Sequence, residues 1–377
     1  MLTASRTQIF RHTFAFFEKY GHPPQEVELQ VSFGKGADGF WTNCFPSVLV
    51  TRFSDDIKKF GRLLKLVKWA MPLLGLVPIW LLLRVMFFRR EFADKFVYPL
   101  IALFLGTGNQ TPHVPSAIVE RLFDDPNMKL WDYDAETLLP NRPKMVTFGN
   151  LDRFYRDWAE DLTRQGVDIR LNTEVVAITS RSSDGVRLQT RPARPGPPTE
   201  ERFDELVLCT LADDALRLLG KTASARERLV LGGARFYDDV TVTHSDREYF
   251  VRHYETAFSP ALCAEPRTDA ERSRVAFARG DDPAAPGGFR PMYFTKSYGG
   301  AGAGRIEMSF DCSNYQHQLL AATTERPGEH DHVYQSIFLD SRKQELCEWD
   351  FVFFAFFSHG FPWPCYAGQE PRAYFTH

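Results

Sequence analysis

No two of the six cysteines form a C-x-x-C pair, and no Cys/His cluster has the spacing of a structural zinc site. That excludes a disulfide scaffold and a zinc finger, and leaves buried free thiols in a reducing compartment as the expectation. The chain also lacks an excess of either charge. Its 45 Lys+Arg stand against 48 Asp+Glu, a net charge of −3 over 377 residues. A dedicated nucleic-acid binder carries a basic surplus, so no nucleic-acid partner is expected. There is no internal period, which removes solenoids, coiled coils and collagen. G-x-S-x-G, H-E-x-x-H and the P-loop are all missing, and with them three large classes of hydrolase. Met1–Phe10 is polar and has no secretory h-region.

What is present is the composition of a globular chain, 44% apolar and 25% charged, long enough for two or three domains. Aromatics are unusually frequent, with 33 Phe. Trp69–Phe88 (WAMPLLGLVPIWLLLRVMFF) is about as long as the ~20 residues that cross a bilayer. Lys58, Lys59, Arg62, Lys65 and Lys68 precede it, and Arg89 and Arg90 follow, as suits a segment at lipid headgroups. Arg84 and the helix-breaking Pro72 and Pro78 argue against a span. Three readings stay open: buried helices forming a core or an apolar substrate tunnel, a membrane-surface helix, or a true span. The expected location is accordingly cytoplasmic or membrane-associated.

Along the chain, Phe10–Tyr20 reads as a helix stopped by Gly21 and Pro23. Val27–Phe33 alternates like one strand, Gly34–Gly39 turns, and Phe40–Phe45 reads as the return strand of a hairpin. Helical material follows from Ser54, the expected N-cap, to Leu105, and Pro115–Phe123 is a short helix. Leu151, Phe154, Trp158 and Leu162 recur at helical spacing ahead of Gly166. Asp168–Leu171, Glu174–Ser180 and Val186–Thr190 read as strands. Phe203–Thr210 reads as a fourth, whose continuous Leu206–Cys209 run predicts burial. Leu211–Leu219 is then a helix. Asp239–His244, Gly304–Phe310 and Tyr334–Phe338 are later strands, and Phe351–His377 is aromatic and aperiodic.

Chemical motifs are sparse. Gly34–Gly39 matches G-x-G-x-x-G, but no helix opens there to hold a pyrophosphate, so a hairpin turn is the expectation. Gly299–Gly304 is a flexible turn for the same reason. His330-Asp331-His332 has no third metal ligand at informative spacing. Cys209, in an apolar run, reads as an inert core thiol.

Residues 145–220 resemble the flavin-containing amine oxidoreductase family. The resemblance rests on Phe148-Gly149-Asn150-Leu151, on Gly166–Ile178 (GVDIRLNTEVVAI) and on Asp204–Thr210 (DELVLCT). It is weaker over Phe14–Gly39, Met308–Gln318 and Tyr334–Asp340. It implies an α/β (mixed α+β) fold, with an FAD-binding Rossmann-like domain carrying a β-meander beside a helical, mixed-sheet substrate domain. On that reading residues 1–144 and 221–350 belong to the substrate side, 145–220 to the cofactor side, and 351–377 form an irregular tail. The family's opening G-x-G-x-x-G strand–turn–helix and its closing flavin-covering segment find no match, so the cofactor domain is expected to be incomplete. The resemblance implies FAD as cofactor, with the backbone of Val175 at the adenine and Cys209 and Thr210 near the dinucleotide. It implies hydride transfer from a small apolar or amine substrate to the flavin. The alternatives are a non-catalytic remnant of that family and a membrane-associated binding protein.

Overall fold

The computed structural model describes residues 2–3, 10–125, 131, 133–192, 196–234, 236, 240–281, 288–298, 305–316, 318–319, 332–339 and 374–376. In chain order the elements are β1 (Leu2–Thr3), α1 (Arg11–Lys19), β2 (Gln25–Glu28), β3 (Val31–Phe33), β4 (Trp41–Thr42), α2 (Val48–Arg52), α3 (Ser54–Trp69), α4 (Met71–Leu74), α5 (Ile79–Val85), α6 (Arg90–Phe92), a π-turn (Ala93–Val97), α7 (Tyr98–Leu105) and α8 (Ser116–Asp124). Then come β5 (Lys144–Thr147), α9 (Leu151–Arg164), β6 (Thr173–Ser182), β7 (Gly185–Pro192), β8 (Thr199–Phe203), α10 (Ala212–Leu219) and α11 (Ala225–Leu231). The last are β9 (Val240–His244), α12 (Arg247–His253), α13 (Asp269–Arg279), β10 (Tyr293–Ser297), β11 (Ile306–Asp311), β12 (Tyr334–Leu339) and β13 (Tyr374–Thr376). The fold is mixed α/β, as expected. Its described residues form two compact units, one of them Tyr155–Asp238 and the other taking the residues up to Phe154 and from Asp239 on.

The larger unit holds two sheets. One is β1-β5-β2, antiparallel; the other is seven-stranded, in the order β13-β9-β12-β11-β10-β3-β4, with β10 and β3 parallel. The expected single strand Val27–Phe33 is two strands. Leu29 donates to the Pro143 carbonyl beside β5, whereas the Gln30 carbonyl accepts from Met292, so the chain leaves one sheet and joins the other at this step. The hairpin expectation holds: β3 pairs antiparallel with β4 across Gly34–Gly39.

A helical layer packs on this sheet. Ile57, Phe60, Leu63, Leu64 and Val67 are the buried stripe of α3, at the spacing that puts them on one helical face. Ser54 is the first helical residue and not the cap; Phe53 stands before it, its carbonyl accepting from the Ile57 amide. Trp69–Phe88 is not one helix. Pro72 sits in the first turn of α4, and Pro78, extended at ψ 140°, starts α5. Among the described residues no helix is long and apolar enough to cross a membrane.

The smaller unit is the antiparallel meander β6-β7-β8 with α10 and α11. Ile178, Leu188, Leu218, Leu219 and Ala223 form its core. Two expectations fail here. Asp168–Leu171 is not a strand, and of Phe203–Thr210 only Phe203 lies in one. Residues 167–171 and 204–210 find no partner strand among the described residues, and an apolar run becomes a buried strand only when neighbours pair with it and cover its faces. Leu171 and Val207 are exposed in consequence.

Candidate functional site

The three residues tied to a flavin all belong to the smaller unit, but the structure does not gather them. Val175 is half-buried on β6, paired with Thr190 of β7, and β6 is an edge strand of its sheet. Cys209 is exposed, not a core thiol, because the run that carries it is unpaired. Thr210 lines a cleft of about 710 Å³ with Leu206, Leu208, Leu219 and Leu231; Val175 and Cys209 do not.

The fit of these residues to FAD is uneven. The open edge of β6 offers backbone groups of the kind that read adenine. A pyrophosphate needs free amides at a helix N-terminus, and those nearby are spoiled. Asp213 and Asp214 fill the first turn of α10, placing negative charge where the phosphates would go. The N-terminus of α11 is closed by its own capping box between Ser224 and Glu227. The described residues of this unit offer a strand edge at β6 but no helix N-terminus suited to a pyrophosphate.

Gly34–Gly39 does not replace that cradle. Gly34 and Gly36 take φ of +64° and +68° to turn the hairpin, and a Cβ at Gly34 would lie 2.2 Å from the Gly39 carbonyl oxygen. The amides are already used: Gly34 donates to the Thr295 carbonyl (2.9 Å), Gly36 to Glu255 Oε1 (3.0 Å) and Gly39 to the Gly36 carbonyl (3.1 Å). Lys35 donates to the Val251 and Tyr254 carbonyls at the end of α12, where a cation suits the helix dipole. Gly299–Gly304, His330 and Asp331 lie outside the described residues. His332 Nδ1 is 2.7 Å from Asp311 Oδ2, and among the described residues no group of three metal-binding side chains occurs. Burial pushes the Cys44 thiol up to about 12, which leaves it unreactive.

Two arrangements in the larger unit went unseen in the sequence. The first is a buried polar network. Glu307 on β11 is 2% exposed. Its Oε1 accepts from the hydroxyls of Tyr249 (2.7 Å) and Tyr254 (2.8 Å), and its Oε2 from that of Tyr298. Burial first, and the charge of Glu307 second, hold the Tyr249 and Tyr254 hydroxyls far above the ordinary tyrosine range. The Tyr254 hydroxyl lies 3.2 Å from Ser309 Oγ, which contacts Ser336 Oγ at 2.7 Å, and Ser336 lies 3.2 Å from His244 Nε2. The Asp246 amide donates to His244 Nδ1 (3.2 Å). That donor fixes the neutral tautomer, with the ring proton on Nε2.

His244 therefore links this network to pH. Burial lowers its pKa from 6.5 to about 4. The unfolded chain takes up a proton near pH 6.5 that the folded chain refuses until about pH 4. Stability from this group is complete above pH 6.5 and is lost as pH falls toward 4, by about 2–3 kcal/mol. Urea midpoints at neutral and acid pH measure it, and His244→Gln should fall less between the two than the native chain.

The second arrangement is a cleft of about 730 Å³ between α2, the 134–142 loop and α13. Arg142 donates to Glu28 Oε2 (2.8 Å), and its guanidinium lies 3.4 Å from the centre of the Phe277 ring. Arg274 donates to the Pro140 carbonyl (3.2 Å), and its Nε is buried without a partner among the described residues. Phe45 and Val50 supply apolar wall. A space of this size, lined mostly by polar and charged side chains with a short apolar wall, accommodates a small organic molecule.

No protein-family model matches the chain, and no curated protein matches it.

Proposed function

We propose that the chain is a relative of FAD-dependent oxidoreductases of amine-oxidase type and takes a small apolar or amine substrate. One observation carries this reading: the order of the smaller unit. Helix α9, residues 167–171, the meander β6–β8, residues 204–210 and helix α10 follow one another in the order of the resemblance, which however implies strands at 168–171 and 203–210 where the described residues form none beyond Phe203. Val167, Ile169 and Leu171 of the first segment and Val207 of the second are exposed, while Leu206 and Leu208 are half-buried against the core of the meander. The cleft beside α13 offers a place for a substrate. When bound, a flavin supplies the hydride acceptor, and the protein's part is to orient the substrate and exclude water. Residues beyond those described would have to hold the pyrophosphate.

The spoiled helix N-termini and the spent Gly34–Gly39 amides favour a second reading, a non-catalytic member that keeps a substrate-binding unit. A titration separates the two. The purified full chain is mixed with FAD, and bound flavin is followed by its visible absorbance and fluorescence quenching. Saturable uptake, abolished in Val175→Pro, supports the flavoprotein. A colourless chain that leaves FAD fluorescence unchanged rejects it and leaves the second reading.

A further inference from the structure

The helical layer leaves large apolar side chains in the open. Trp69 is 85% exposed, Leu73 82%, Leu76 84% and Phe87 87%. Scattered exposed apolar residues are ordinary, but these are four large ones within twenty residues, at the end of α3, on α4 and in the turns after α4 and α5. The packing of this region is nonetheless definite. Ser116 Oγ donates to the Leu74 carbonyl, the Ala117 amide to Gly75, and the Ile79 amide to Val114, so α4 and the start of α5 are fastened to α8 while their outer faces stay bare. Phe87 takes φ +56°, an unfavourable conformation for a non-glycine residue, and its carbonyl is held by Lys59 Nζ at 3.0 Å. Strain is thus accepted at a residue whose ring faces water.

The charge along this stretch of sequence has one sign. Between Ile57 and Arg90 the chain carries eight Lys and Arg and no Asp or Glu. Several of these pair with carboxylates elsewhere: Lys58 with Glu136, Lys68 with Asp124, Arg89 with Asp56 and Arg90 with Asp94. Arg62, Lys65 and Arg84 are exposed and make no ion pair among the described residues. On α3, Lys65 and Leu66 lie three and four residues after Arg62 and four and three before Trp69, so cations and apolar groups share the outward face.

We infer that this layer seats on an anionic lipid surface, lying in its plane without spanning it. Trp69, Leu73, Leu76 and Phe87 enter the boundary between headgroups and acyl chains, where the amphipathic indole is favoured, and Arg62, Lys65 and Arg84 meet lipid phosphates. Apolar insertion and basic attraction are each weak alone and together hold a peripheral protein. A second copy of the chain is the less suitable occupant, since its net charge is only −3 and a bilayer offers dense negative charge.

The test is co-sedimentation of the full chain with phosphatidylcholine vesicles, with and without phosphatidylserine. Binding should rise roughly tenfold or more with phosphatidylserine and weaken as salt is raised. The variant Trp69→Ser/Leu73→Ser/Leu76→Ser, changed only at exposed positions, should lose most binding to either vesicle. Arg62→Gln/Lys65→Gln/Arg84→Gln should lose the phosphatidylserine preference and keep its circular dichroism. A carbonate wash should release the bound chain. No binding to either vesicle, binding unchanged in both variants, or carbonate-resistant insertion overturns the inference. So does a dimer in gel filtration that the apolar variant dissociates while vesicles go unbound.

Discussion

Glu307→Ala is expected to destabilise the chain by about 3–5 kcal/mol, read as a lower urea midpoint at unchanged slope. The substitution removes the acceptor shared by the buried hydroxyls of Tyr249 and Tyr254 and by that of half-buried Tyr298. A buried hydroxyl that loses its acceptor costs about 1–3 kcal/mol, and three are affected, though Tyr254 keeps the contact with Ser309. Glu307→Gln should cost about 1–3 kcal/mol, because one oxygen still accepts while the amide group faces donors. The same asymmetry predicts a recovery. Glu307→Leu combined with Tyr249→Phe and Tyr254→Phe should be more stable than Glu307→Leu alone, since both sides of the lost bonds are then removed. If Glu307→Ala melts with the native chain, the network does not hold β11 to α12.

Trp41→Ala should cost a similar amount, about 3–5 kcal/mol. Trp41 is fully buried on β4 and stacks on Phe33 of the facing strand, with ring centres 4.0 Å apart and planes at 6°. Its other neighbour is Phe96 in the π-turn, at 5.1 Å. The indole Nε1 donates to the Lys95 carbonyl at 2.9 Å. One side chain thus ties the hairpin to the helical layer by area, by ring geometry and by a hydrogen bond. Trp41→Phe separates these parts. It keeps a ring between Phe33 and Phe96 but leaves the Lys95 carbonyl without its donor, and should cost about 1–3 kcal/mol. Equal losses in the two variants would assign the whole effect to the hydrogen bond.

Local patterns foretold the elements better than their assembly. The stripe on α3 and the hairpin about Gly34–Gly39 are properties of short stretches, so spacing alone reveals them. The break at Leu29–Gln30 is different. Gln30 Oε1 takes the Arg290 amide and its Nε2 contacts the Gly288 carbonyl, partners about 260 positions away that no local pattern announces. Leu206–Cys209 misled for the complementary reason, since an apolar run records a preference for burial and supplies no neighbour. The candidate site was legible only in part. Val175, Cys209 and Thr210 came from resemblance, and of these Thr210 alone lines a cleft. Glu307 alternates with Ile306 and Met308, and a charged residue at such a position reads as water-facing until the tyrosines on and after α12 are seen to enclose it.

The parallel pairing of β3 with β10 bears on how the chain is made. Residues 31–33 and 293–295 lie side by side, yet about 260 of the 377 residues separate them. A chain leaving the ribosome therefore presents β3, β4 and the aromatic faces of Phe33 and Phe96 long before the strand that seals their sheet exists. Closing so long a loop is entropically costly and slow, and during the wait those faces invite wrong partners. The meander β6–β8 has no such delay, because each strand pairs with the next one synthesised. The larger unit thus closes only once its last described strands are made, whereas the meander can pair as it is synthesised.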